Sequence, residues 1–153
     1  MQSLQQVCYS FRIIALRLFP FAFVTLCLGV YGQSNFTDSY FTVSDGQLSS
    51  PYYNFTNSDG ELVDFSSLPL YRGNTYVFSS VQVSNNHPFM IGESYGDMES
   101  SIVSGESLTG TGGKITVSIP SDFDGSLYFF CTEHTSMVQE FVILTDPAST
   151  FLV

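Results

Sequence analysis

The stretch LYFFCTEHTSMVQEFVIL, residues 127–144, decides how this chain is read. Leu127 to Cys131 is apolar at every position, as a short strand buried on both faces would be. Gln139, Phe141 and Ile143 alternate with Glu140, Val142 and Leu144, the period-two pattern of a strand with two unlike faces. The connection between them, Cys131-Thr132-Glu133-His134-Thr135-Ser136-Met137, carries a thiol, an imidazole and a thioether within seven residues. The expectation is a central strand, a chemistry-bearing loop and a final strand beginning near Val138.

Upstream, the same strand pattern recurs. Ile115, Val117 and Ile119 share one face with Thr116 and Ser118 on the other, and Tyr76-Val77-Phe78 and Val81-Gln82-Val83 are strand-like. Leu68 and Leu70 flank Pro69, which fits only an edge or the end of a strand. Turn residues punctuate the chain at Asp45-Gly46, Ser58-Asp59-Gly60, Arg72-Gly73-Asn74, Asn85-Asn86, Gly110 to Gly113 and Asp122 to Gly125. Ser100 to Gly113 reads as a loop bordering a strand. No segment of residues 33–153 shows a helical apolar period. Many short strands with frequent turns indicate an all-β sandwich or barrel.

The first 32 residues read as a signal peptide. Arg12 and Arg17 precede an apolar run of 13 residues, Leu18 to Val30, and Val30 and Gly32 suit a cut before Gln33. A membrane anchor is the rival reading, but the run is short of the roughly 20 residues a span needs and contains Pro20. The remaining domain is expected over residues 33–153, with its core at about 38–145, in a secreted chain with no further membrane segment. Asn35-Phe36-Thr37 and Asn54-Phe55-Thr56 are sequons for N-glycans. After leader removal only Arg72 and Lys114 oppose 14 acidic residues, a net charge of −12. Such a surface disfavours nucleic acid and anionic lipid and favours a basic partner. The expected state is a monomer.

Cys8 and Cys27 leave with the leader, so Cys131 remains as a single thiol in an oxidising compartment. It is then a buried core residue, a thiol paired with another chain, or a chemical one. Residues 33–153 contain two histidines, His87 and His134, and three methionines, Met90, Met98 and Met137. Two imidazoles, one thiolate and a weak thioether are the donor set that suits copper in both of its common oxidation states. Pro88 fixes the direction of the chain just after His87. Zinc is the competing metal, although structural zinc sites usually have more Cys or His ligands than this chain supplies.

Three pieces carry a likeness to a known family: Arg72 to Phe78, then Asn86-His87-Pro88-Phe89, then Ile119-Pro120 with Leu127 to Met137. From about Ser50 to Leu144 the chain resembles the cupredoxins, and among them small secreted plastocyanin-like domains. The resemblance implies a two-sheet Greek-key β-sandwich with one copper ion at one end. By that resemblance His87 and His134 are the imidazole ligands, Cys131 the thiolate and Met137 the axial thioether. The Cys-x2-His-x2-Met spacing is two residues shorter before Met than in plastocyanin. Met90, Glu133 or Gln139 are therefore alternative axial donors, and three-coordination is the remaining option.

The implied function is one-electron transfer through Cu(I) and Cu(II) to a redox partner with a basic docking face. Extracellular copper storage or delivery is the alternative, followed by a metal-free interaction module. Catalysis is not expected. No Asn or Asp is clearly placed to orient a Cys131–His134 pair, the acids are scattered, and residues 104–113 lack phosphate-loop spacing.

Overall fold

Alternating and wholly apolar runs between turn residues build an all-β chain. The computed structural model describes residues 39–146, and no helix occurs among them. Eleven strands are formed there: β1 Tyr40–Asp45, β2 Asn54–Thr56, β3 Leu62–Val63, β4 Leu70–Tyr71, β5 Thr75–Val83, β6 Phe89–Gly92, β7 Val103–Ser104, β8 Lys114–Ser118, β9 Tyr128–Cys131, β10 Val138–Glu140 and β11 Ile143–Leu144. They make a six-stranded sheet in the order β3-β2-β1-β5-β8-β7, a three-stranded sheet β10-β9-β6 and a two-stranded sheet β11-β4. The architecture is compatible with a β-sandwich. The leader, the Asn35 sequon and residues 147–153 lie outside the described residues.

Register explains which residues are buried. In the six-stranded sheet Val43 pairs with Phe55, Phe41 with Phe78, and Phe78 with Ile115. Directly paired residues point to one face, so these side chains form a continuous apolar layer, each at most 3% exposed. In the three-stranded sheet Ile91 pairs with Phe129 and Phe89 with Cys131. Rings of the two sheets meet: Phe55 lies 5.1 Å from Phe129 and 5.8 Å from Phe89, and Phe78 lies 6.2 Å from Phe89. Phe65 and Phe141 close the cluster at 5.1 Å, edge to face. Each such aromatic pair adds about 0.5–1.5 kcal/mol beyond its buried area.

The run from Leu127 to Cys131 forms β9, the middle strand of its sheet, with Phe129, Phe130 and Cys131 all buried. Phe130 and its partner Met90 face away from Phe129, on the side where Tyr95 packs against Phe130 at 5.3 Å. Pro69 precedes β4, a strand of a two-stranded sheet.

Two expectations are corrected. Residues 138–144 are not one strand. Leu127 O accepts from Phe141 N and Val142 O from Leu70 N, so the chain leaves β9 as β10 and joins β4 as β11. Nor is Ser100 to Gly113 only a loop. It contains β7, paired to β8, and the buried Leu108, which bridges to Phe89.

Candidate metal centre

Two backbone devices bring His87 to His134. The first is the β6–β9 ladder, which pairs Phe89 with Cys131 in antiparallel register. Continuing that register by two residues sets His87 opposite Glu133, beside His134. Thr132 N donates to Pro88 O at 3.1 Å and so extends the pairing by one residue. The second is the tight closure of the 131–137 connection. Cys131 N donates to Met137 O at 2.9 Å, and Met137 N to His134 O at 3.0 Å.

His87 itself sits in a turn between β5 and β6. Its N–H donates to Ser84 O at 3.1 Å, and Asn86 N donates to Ser84 Oγ at 3.2 Å. Ser84 N donates in turn to Asp45 O at 2.6 Å, tying this turn to the end of β1. Gly46 follows with φ +127°, and a Cβ there would lie only 2.8 Å from His87 Cβ. The β1–β2 connection therefore passes against His87 at a distance only glycine permits. From the same connection Tyr53 donates its hydroxyl to the carbonyl oxygens of His87, at 3.0 Å, and Pro88, at 3.2 Å.

The result is a triangle of donor atoms. His87 Nδ1 and His134 Nδ1 are 3.2 Å apart, and Cys131 Sγ lies 3.4 Å from His134 Nδ1 and 3.9 Å from His87 Nδ1. Cys131 is fully buried and unpaired, and both imidazoles are half-buried. These three residues form a group that could hold a metal ion. The circle through atoms with those separations has a radius of about 2 Å. That is close to a metal–imidazole bond of about 2.0–2.1 Å and slightly short of a metal–thiolate bond of about 2.3 Å. The donor set, two nitrogens and one thiolate sulfur, suits a soft or borderline transition metal and not a hard oxygen-seeking one.

Met137 is fully buried and follows the same loop. The Val138–Phe130 pairing continues to Met137 opposite Cys131 at the mouth of the hairpin. The other axial candidates are placed differently. Met90 pairs with Phe130 and so points to the opposite face from Cys131. Glu133 is exposed. Gln139 pairs with Phe129 and lines a groove of about 410 Å³ with Tyr53, Phe55 and Phe65.

Tyr53 and Gly46 carry no mark in the sequence that ties them to the site. Neither belongs to the His, Cys and Met donor set, and only the fold brings their connection against His87. Burial first, and then the neighbouring Cys131, pushes the Tyr53 hydroxyl pKa well above its ordinary value. No family model matches the chain, and no curated protein matches its sequence.

Proposed function

We propose that this chain is a secreted cupredoxin-type Greek-key β-sandwich that carries single electrons on one copper ion held by His87, Cys131, His134 and Met137. The observation that carries the proposal is the convergence of His87 Nδ1, Cys131 Sγ and His134 Nδ1 in one triangle. Copper in such a set supplies a reversible Cu(I)/Cu(II) couple.

The residues contribute distinct chemistry. Cys131, buried on the inner face of β9, offers a thiolate shielded from oxidants by the surrounding core. His87 and His134 reach the thiolate through Nδ1, which leaves Nε2 of each ring as the other edge of the imidazole. The ladder on one side and the closed loop on the other restrict movement of all three donors, which limits reorganisation between oxidation states. The strongly acidic surface supports a redox partner with a basic face. Secretion belongs to the same proposal, with N-glycans at Asn35 and at Asn54, which is exposed on β2.

Voltammetry of the copper-loaded protein tests electron transfer directly. A reversible one-electron wave that disappears in Cys131→Ser supports it. Copper binding without a reversible wave favours storage or delivery instead.

A further inference from the structure

The β1–β2 connection lies far from the ligands in sequence, yet one of its side chains reaches the backbone at His87. Tyr53 is 1% exposed, and its ring is held edge-on by Phe89 at 5.0 Å and Phe129 at 6.4 Å. Phe89 is the strand partner of Cys131, so the ring rests on the rungs that carry the thiol. The hydroxyl at its tip is shared between His87 O at 3.0 Å and Pro88 O at 3.2 Å. Burial, and then the neighbouring Cys131, raises the pKa of this hydroxyl and keeps it a donor.

Pro88 has no amide hydrogen, so the chain after His87 cannot be fastened through its own N–H. The His87–Pro88 segment is fastened through its carbonyls, while the next N–H, of Phe89, donates to Leu108 O at 3.0 Å. Pro88 O accepts from Thr132 N, and Tyr53 serves both His87 O and Pro88 O. A tyrosine whose ring is already locked by packing places its hydroxyl at little entropic cost.

We infer that Tyr53 is a positioning residue for the metal-ligand triangle: its hydroxyl clamps the His87–Pro88 peptide against β9, so that His87 Nδ1 already faces Cys131 Sγ before a metal arrives. The inference rests on the metal-binding reading of His87, Cys131 and His134. Residues that orient ligands from behind typically change metal affinity about 10–100-fold when removed.

Tyr53→Phe in the full chain deletes only the hydroxyl. Tyr76→Phe is the control, because Tyr76 is also a buried tyrosine whose hydroxyl is hydrogen-bonded, at 2.7 Å from Tyr71 N, but at the opposite end of β5 from the His87 turn. Two measurements separate the roles. In metal-free protein, amide exchange at His87 and Thr132 accelerates in Tyr53→Phe and not in Tyr76→Phe. In protein loaded with Cu(II), release to a competing chelator accelerates about 10–100-fold in Tyr53→Phe, with a shifted thiolate charge-transfer band, while Tyr76→Phe matches the unmodified protein. Native exchange at both amides, or equal copper release from the two variants, overturns the inference. An unmodified protein that takes up no copper overturns the metal-binding reading, and the exchange rates alone then decide whether Tyr53 clamps the turn.

Discussion

His87 Nδ1 lies 3.2 Å from His134 Nδ1, although 47 residues separate them in the chain. The contact follows from the Phe89–Cys131 pairing, carried two residues past the end of the ladder, together with the tight closure of the 131–137 loop that carries His134. Two imidazole nitrogens this close, both turned toward one buried sulfur, have room for a shared proton or for one ion.

Replacing Cys131 by Ser is expected to abolish any intense visible absorption from bound Cu(II), since that absorption requires a copper–thiolate bond. The variant should stay folded, because Ser differs from Cys by one atom and the buried hydroxyl keeps His134 Nδ1 as a neighbouring partner. Absorption spectra of copper-loaded native and variant protein check this. Undiminished colour in Cys131→Ser would contradict the ligand assignment.

Met137→Leu should keep copper bound and shift the reduction potential, because an axial thioether tunes the site more than it holds it. Met137 is fully buried, and a swap of similar volume costs under about 1.5 kcal/mol. Parallel copper titration and voltammetry provide the check. Complete loss of copper binding would mean that Met137 is a principal ligand.

At Gly46 an added methyl lands 2.8 Å from His87 Cβ and 3.3 Å from Ser84 Cβ, at a φ of +127° that side chains rarely adopt. Gly46→Ala is therefore expected to lose about 1–3 kcal/mol of stability and to weaken copper binding by displacing His87. Gly60→Ala, with φ +80° and nothing within 4 Å, should carry the backbone strain alone and leave copper affinity unchanged. Equal copper affinity in the two variants would sink the proposed contact with His87.

Alkaline stability should respond to Tyr76. Burial, the largest cause, raises its pKa above the usual 10.0. The folded chain thus keeps a proton that the unfolded chain loses. Stability is full below about pH 10, and falls as pH rises until the folded group titrates as well. Tyr76→Phe should flatten that decline, read from denaturant midpoints at pH 8 and pH 11. An unchanged decline would show that Tyr76 is ionised equally in both states.

Much of the fold is visible locally in the sequence. Phe129, Phe130 and Cys131 announce a strand buried on both faces, and Ile115, Val117 and Ile119 a strand with one buried face. The division of residues 138–144 between two sheets is not visible, because Phe141 continues the alternation while its N–H crosses to Leu127 O. The leader and the Asn35 sequon fall outside the described residues, so the fold carries no information about them. At the site, Cys131, His134 and His87 stand out by residue type. Tyr53 and Gly46 do not, since a buried tyrosine and a turn glycine look the same wherever they occur. Their roles come from the β1–β2 connection lying against the His87 turn, a long-range relation with no local signature.

Whether the His87, Cys131 and His134 triangle holds copper is decided by a Cu(II) titration of the purified protein, followed by visible absorption and electron paramagnetic resonance. A thiolate-bound copper gives an intense visible band that saturates at one copper per chain, with unusually small copper hyperfine splitting. A folded, reduced protein that binds no copper, or binds it with ordinary tetragonal spectra and no thiolate band, would contradict the ligand assignment.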